Sequence, residues 1–283
     1  VEMTSLQGVM GRYYALDAGE PEAVAAAIDE HYAPRSAGDP VPASKAGLAL
    51  RIADRLDTLT GLFAVGLAPT GAKDPFAQRR AAIGLVQSLI DWELDFDVSE
   101  GIAKAAAQQP VKVGEDTQAE ALDFISGRLR ALMLEQDLRY DVVDAALAEQ
   151  GAHPARAAAA AQQLASHLAH KAWPDVLDTF ARCVRITREL GGELKLDAGK
   201  LSEEAEKALY VALEGAEAAE RRPGSVDHFL KTFMPIMPAI KRFFDEVLVM
   251  AEDEAIKNNR LALLQRVARL ADGVADFSKM EGF

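Results

Sequence analysis

Cysteine, aromatic residues and long apolar runs are all scarce in this sequence of 283 residues. The single cysteine, Cys183, excludes a disulfide within the chain and a zinc site built from cysteines, and we expect it to be a small buried side chain. Aromatic residues make up only 6% of the chain, which together with its many alanines favours helices over an extensive sheet. No apolar run approaches the roughly 20 residues that a membrane helix needs, so we expect a cytoplasmic protein that does not act at a membrane.

The sequence signatures of a catalytic centre are missing as well. No glycine-rich loop is present that would cradle a phosphate, and no serine or cysteine has the setting of a nucleophile. His167 and His170 lie three residues apart, but no third ligand accompanies them, which argues against zinc. We therefore expect that this chain alone is not catalytic and has no cofactor of its own.

The charge of the chain limits its partners. The formal net charge is −13, which disfavours sequence-independent binding to nucleic acid because such binding depends mainly on neutralising phosphates. We therefore expect no DNA partner, and any nucleic-acid contact has to come from a local basic face.

Helical periodicity is the main feature that is present. Apolar residues recur at helical spacing through most of the chain, so the sequence predicts an all-α protein. The first long helices are expected over residues 43–63 and 76–92, with a Gly- and Pro-rich loop at 66–75 between them. An Ala-rich helix and a Pro-Val-Lys-Val-Gly turn between residues 95 and 114 indicate a boundary region between two helical units.

Two aspartates in the first long helix are weak candidates for metal ligands. Asp54 and Asp57 are three residues apart and fall on one helical face, where their carboxylates can share a cation. His31 is the only histidine near them in the sequence, which is a poor ligand set. The favoured interpretation is that the aspartates pair with Arg51 and Arg55 on a solvated face.

The loop before the second long helix is a candidate phosphate site. Asp74 can cap a helix whose first residue is Pro75, and Arg79 and Arg80 then project from its opening turns next to Lys73. Positive side chains beside exposed helix N–H groups favour an anion. An equally supported alternative is that one of the two arginines ties the loop to the aspartates of the preceding helix.

A second basic stripe lies in the later half of the chain. Arg182, Arg185 and Arg188 recur every three residues on one predicted helix and can follow a phosphate backbone. The alternative, given equal weight, is a solvated stripe whose charge is balanced by the neighbouring acids Asp175, Asp178 and Glu189.

The last forty residues predict two short amphipathic helices, over residues 243–251 and from Ile256 onward, around a polar elbow. The elbow ends in a polar run that can offer hydrogen bonds and charge to the unstacked bases of a single-stranded loop. The run consists of Lys257, Asn258, Asn259 and Arg260. For Arg260 we favour a structural role, in which it pairs with Asp245 or Glu252.

Several of these segments resemble one family. The segments ADRLDTLTGLF at 53–63, KDPFAQRRAA at 73–82 and ADFSK at 275–279 are similar to the bacterial glycyl-tRNA synthetase β subunit. The segment FFDEVLVMAED at 243–253, followed by NRLALL at 259–264, resembles the DALR-type helical anticodon-binding domain. Matches at both ends, in one order, extend the resemblance over nearly the full length.

The resemblance implies both a domain order and a role. Residues 1–94 would be the later part of an HD-like helical domain without phosphohydrolase activity, 95–200 a helical part of the tRNA-binding region, and 201–283 the anticodon-binding domain. The whole enzyme joins glycine to tRNA(Gly) with ATP and magnesium, at a site in an α subunit or fused α region outside this chain. The sequence starts with Val1 inside an apparent helix, so we expect it to be the C-terminal piece of a longer polypeptide.

Two alternatives remain open from the sequence. One is a fragment of an HD-type metal phosphohydrolase, which would need a transition metal held by Asp54 and histidines. The other is a helical interaction module without catalytic function, which would present an exposed apolar groove and no basic face.

Overall fold

The structure is a computed structural model that describes residues 6–34 and 39–283. The described residues form α-helices joined by turns and short 3₁₀ segments, with no strand among them, so the all-α prediction is confirmed. None of these helices is long and apolar enough to cross a membrane. The α-helices of the described residues are α1 (Val9–Asp17), α2 (Glu22–Glu30), α3 (Lys45–Ala64), α4 (Gln78–Asp91), α5 (Val98–Gln108), α6 (Glu115–Glu135), α7 (Tyr140–Gln150), α8 (Pro154–Leu168), α9 (Trp173–Thr187), α10 (Glu204–Ala218), α11 (Val226–Phe233), α12 (Met237–Glu246) and α13 (Glu254–Ala268).

The chain divides into two compact units. Unit 1 runs to Gln136 and includes Ala152–Ala155, and unit 2 comprises Asp137–Gly151 and Arg156–Phe283. The division therefore lies well after residue 94, where the sequence suggested that the first domain ends. The physical reason is that α5 and α6 pack on α3 and α4. At Gly101 of α5 an added Cβ would lie 2.7 Å from Leu56, so these helices approach closely. The HD-like and DALR-type assignments stay predictions.

The loop before α4 differs in detail from the prediction. The carboxylate of Asp74 accepts hydrogen bonds from the backbone N–H groups of Gln78 (2.8 Å) and Arg79 (2.9 Å), so Asp74 does satisfy the helix start. The helix nevertheless begins at Gln78, and Pro75 precedes it in a turn rather than occupying the first helical position. Ala77 has a φ of 53°, a left-handed conformation that turns the chain into α4.

Arg51 is buried in unit 1, which corrects the prediction that it pairs with aspartates on a solvated face. Its Nε donates to Ser88 Oγ (3.0 Å) and to the carbonyl of Gly84 (3.3 Å), and its Nη1 donates to the carbonyl of His31 (3.1 Å). Burial, followed by repulsion from Arg55, lowers the pKa of Arg51 to about 10. A guanidinium bonded to neutral oxygens thus joins α3, α4 and the end of α2.

Aromatic residues form the centre of unit 2. The rings of Phe180, Phe229, Phe233 and Phe277 have centroids between 5.0 and 5.7 Å apart, mostly edge to face or tilted. Such contacts favour one arrangement of α9 and α11 over others. Cys183 lies fully buried on the same face of α9, as predicted, and burial raises the pKa of its thiol to about 12.

Candidate nucleic-acid interface

The predicted basic stripe lies on α9 and just after it. The guanidinium of Arg182 stacks over the ring of Phe244, 4.3 Å from the ring centroid, and that of Arg185 lies 5.5 Å from the centroid of Phe283. Arg188 follows the last residue of α9 and is exposed. None of the three arginines forms an ion pair within the part of the chain that the structure describes.

Neighbouring charges are engaged elsewhere. Asp175, which the sequence offered as a balancing acid for the stripe, pairs with Lys241 of α12 at 2.6 Å. Most other cations on the later helices of unit 2 also have carboxylate partners. These pairs are Arg242 with Glu246, Lys257 with Glu254, Arg266 with Glu217, and Arg269 with Glu193. Arg182, Arg185 and Arg188 therefore have no ion-pair partner among the described residues, and Asp178 and Glu189, the other predicted balancing acids, are exposed.

The polar run at the start of α13 separates into exposed and buried members. Asn258 is exposed, and Lys257 pairs with Glu254 on the same helix at 2.6 Å. Asn259 is buried, and its amide binds the backbone of Asp197: Oδ1 accepts from the N–H at 2.7 Å and Nδ2 donates to the carbonyl at 3.1 Å. Asn259 thus holds the chain that follows α9 against α13, and its side chain is not presented to solvent.

Arg260 is also buried and has the structural role that the sequence favoured, although its partner is different. Its Nε donates to the carboxylate of Glu206, and its Nη1 donates to the carbonyl of Leu248 at 2.8 Å. Asp245 and Glu252, the predicted partners, are exposed. Glu206 lies 54 residues earlier in the chain, so its pairing had no local signal.

Glu206 completes a small network at the start of α10. Besides Arg260, its carboxylate accepts the backbone N–H groups of Ser202 (2.7 Å) and Glu203 (3.0 Å), as the third-position acid of a capping box. Burial raises its pKa, but the hydrogen bonds from Arg260 and from the two amides outweigh burial, so the net pKa is lowered. Glu206 is therefore an ionised anchor for the segment before α13.

That segment contains two exposed apolar side chains that the sequence prediction missed. The prediction extended a helix to residue 251, but α12 ends at Glu246, Val247 is extended, and residues 249 and 250 lie in a bend. Val247 and Val249 are buried, while Leu248 and Met250 are 71% and 57% exposed. The carbonyl of Leu248 is held by Arg260, so the backbone that presents these two apolar side chains is anchored to α13.

In unit 1, the Asp74 carboxylate occupies part of the candidate phosphate site. The first N–H groups of α4 already bind this carboxylate, so they are not available to an anion. Arg79 ties the loop together by donating to the carbonyl of Gly71 at 2.5 Å, rather than to the aspartates of α3. Lys73 and Arg80 are exposed.

The two aspartates of α3 are engaged in other contacts. Asp54 pairs with Arg55 at 3.1 Å, and Asp57 accepts a hydrogen bond from Gln109 at 2.8 Å. Among residues 6–34 and 39–283, no three His, Cys, Asp or Glu side chains are grouped so that they could hold a metal ion.

Comparison with known proteins places these features in a family. The profile of the glycyl-tRNA synthetase beta subunit family matches residues 1–148. The chain is 40% identical to the glycine–tRNA ligase beta subunits of Desulforudis audaxviator and Neisseria meningitidis, over 98% of this chain and 41% of each relative. It is 34% identical to the chloroplastic/mitochondrial glycine–tRNA ligase 2 of Arabidopsis thaliana, over 100% of this chain and 27% of that protein. The chain thus spans about two fifths of the length of its bacterial relatives, and it belongs to the glycyl-tRNA synthetase beta subunit family.

Proposed function

We propose that this chain is the tRNA-binding part of a cytoplasmic glycine–tRNA ligase β chain, which positions tRNA(Gly) for aminoacylation elsewhere in the enzyme. The observation that carries the proposal is the set of three arginines without ion pairs, on α9 and just after it, in a family member whose net charge is −13. An acceptor end reaches a distant catalytic pocket correctly only if the tRNA body is fixed. Binding energy gained far from the reacting atoms is therefore used for positioning.

The stripe of Arg182, Arg185 and Arg188 is suited to phosphates. Guanidinium groups bind phosphate oxygens with two parallel hydrogen bonds, and residues three apart on a helix follow each other along one side at intervals of about 4.5 Å. Stacking on Phe244 restricts Arg182 before any ligand arrives, so less conformational entropy is lost on binding.

We assign anticodon contacts to the start of α13 and the non-helical segment 247–250 before it. Asn258 offers an exposed amide, and Leu248 and Met250 offer apolar surface against which an unstacked base can pack. Asn259 and Arg260 support this surface from below and do not touch the RNA in the proposal. Lys257 contributes charge only after separating from Glu254.

Unit 1 is proposed to be an HD-like domain that does not hydrolyse phosphodiesters. Asp54 and Asp57 contact Arg55 and Gln109, which supports a structural use of both carboxylates. Lys73 and Arg80 are its exposed cations next to α4, and we propose them as secondary contacts to the tRNA backbone.

Activation of glycine and transfer to tRNA are proposed to occur in the α subunit or fused α region, where ATP and magnesium bind. We therefore expect the isolated chain to show no glycine-dependent ATP–pyrophosphate exchange. The measurement compares the native chain with a heat-denatured sample at equal concentration. Exchange above the denatured sample would contradict the proposed division of labour.

The α9 stripe makes a quantitative prediction for tRNA binding. Replacing an arginine that contacts a phosphate removes one released counterion, so Arg185→Ala or Arg188→Ala should reduce the slope of log K against log salt by about one. The loss of affinity should be similar for tRNA(Gly) and for a tRNA with an altered anticodon. Asn258→Ala should instead cost roughly 1–3 kcal/mol with tRNA(Gly) only, because its loss removes a contact to a base.

Filter binding across a salt series tests these expectations. Arg242→Ala is the matched control, since Arg242 is also exposed but pairs with Glu246 at 2.9 Å. If the variants at Arg185, Arg188 and Asn258 all bind both tRNAs as the parent does, with folding intact, unit 2 does not carry the proposed recognition.

A further inference from the structure

A groove lies between α10 and α11 in unit 2, and none of its lining residues is among those assigned above. Its volume is about 540 Å³. The floor is formed by the small residues Ala212, Gly215 and Ala216, which lie at helical spacing on one face of α10, and by Ala219 just after the helix. A Cβ added at Gly215 would have no atom within 4 Å, so the floor is open rather than covered by the opposite helix.

The opposite wall supplies polar groups from α11. Nδ1 of His228 accepts the backbone N–H of Arg222 at 2.9 Å. Because a backbone N–H can only donate, Nδ1 carries the lone pair, and the neutral ring bears its hydrogen on Nε2. The bond thus fixes His228 as a hydrogen-bond donor at the groove.

Two charged groups accompany His228. Lys231 is exposed and makes no ion pair with any residue that the structure describes. Glu220 closes the groove at the end of α10 and offers an acceptor. The groove therefore combines a flat apolar floor, one fixed donor, one acceptor and one free cation.

We propose that this groove binds one unstacked nucleotide of RNA. The base lies on the small residues of α10, its edge hydrogen-bonds to His228 Nε2–H and the Glu220 carboxylate, and a phosphate next to it contacts Lys231. Every base presents neighbouring donors and acceptors on its edge, and the phosphate requires a cation. The volume lies within the range of about 300–1,000 Å³ typical of small-ligand sites. A peptide ligand would satisfy the apolar floor but would not require the cation.

This proposal rests on the proposed function, since it adds a second contact for a bound tRNA. It differs from the α9 stripe in chemistry. The stripe binds duplex or single-stranded backbone through charge alone, whereas the groove takes an extruded base and rejects paired ones. The chain then prefers RNA with unpaired nucleotides over a fully paired RNA of equal charge.

Gly215→Leu tests the groove by filling it. Leucine is a better helix former than glycine and meets no atom near Cβ, so we expect the fold to be kept. Binding of a fluorescent tRNA(Gly) anticodon stem-loop should weaken about tenfold, because the leucine side chain occupies the space of the base and the hydrogen bonds of the base edge are lost. Lys231→Ala should weaken binding and reduce the salt slope by about one. Binding of a fully paired RNA hairpin stem should be unchanged by Gly215→Leu.

Gly127→Leu is the matched control, because Gly127 lies in α6 and also has no atom within 4 Å of an added Cβ. If the parent binds the stem-loop and both groove variants bind it equally well, the groove inference fails while the proposed function stands. If the parent does not bind the stem-loop or tRNA at all, the proposed function itself fails. Binding of an unrelated peptide, lost in Gly215→Leu while RNA binding is kept, would assign the groove to a protein partner and overturn the inference.

Discussion

Arg260→Leu is expected to lower the free energy of unfolding by about 3–5 kcal/mol, the largest effect that we expect from a single substitution in unit 2. Arg260 is 7% exposed, and its partner Glu206 is 2% exposed. Removing the guanidinium leaves a buried carboxylate without its charge partner. It also frees the carbonyl of Leu248, so the segment that carries Leu248 and Met250 loses its anchor.

Denaturant unfolding followed by far-ultraviolet circular dichroism measures this effect. The control is Lys207→Leu on the same helix as Glu206, because Lys207 forms an exposed pair with Glu204 at 3.0 Å. An exposed pair contributes little, about 0–1 kcal/mol. Equal unfolding midpoints for Arg260→Leu and Lys207→Leu would show that the buried pair contributes no more than a surface pair.

The pH dependence of stability gives a second measurement on the same variant. The pKa of Glu206 is lower in the folded state, so its contribution is present above the unfolded pKa and is lost as pH falls through the folded pKa. In the Arg260→Leu variant the Glu206 carboxylate accepts fewer hydrogen bonds. The effect of burial is then opposed less strongly, so the pKa of Glu206 rises and the group takes up a proton more readily. The Arg260→Leu variant should therefore lose less stability than the parent when pH is lowered from about 6 to about 4.

Gly84→Ala is expected to destabilise unit 1 by about 2–4 kcal/mol, although the same change in an open helix normally stabilises. The added Cβ would lie 2.0 Å from Nη2 of Arg51. The buried guanidinium would have to move, and its hydrogen bonds to Ser88, Gly84 and His31 would be strained or broken. Their loss leaves a buried charge poorly solvated.

Gly127→Ala supplies the comparison for Gly84→Ala. Gly127 is inside α6, and an added Cβ there meets no atom within 4 Å, so the substitution should stabilise by about 0.5–1 kcal/mol. Opposite signs for the two glycines are the expected outcome of chemical denaturation. A stabilising Gly84→Ala would mean that Arg51 adapts at no cost and that its position is not specified by close packing.

The family and the helical class were readable from the sequence because both depend on local information. Helical spacing is local, and the segments at 53–63 and 73–82 are contiguous. The role of Arg51 was not readable, because its acceptors lie on a helix more than thirty residues later. Asn259 was misjudged for the same reason, since its partner Asp197 is 62 residues away. A polar residue next to a motif looks like a contact to a ligand until its distant partner is known.

The non-helical segment 247–250 after α12 was missed for a different reason. Its alternation of valines with Leu248 and Met250 is as compatible with a short helix as with an extended chain. The outcome depends on Arg260, whose bond to the carbonyl of Leu248 fixes the backbone from another helix. Periodicity over so few residues does not decide between the two conformations.

Because Cys183 is buried, the reactivity of its thiol reports how often unit 2 opens. Cys183 is fully buried, and its raised pKa keeps it protonated at neutral pH, so a thiol reagent reaches it only when α9 separates from the core. With no second cysteine in the chain, the rate of modification counts these openings alone. The rate at which a thiol reagent modifies Cys183 therefore measures how often α9 opens. A bound tRNA that holds α9 in place should lower this rate.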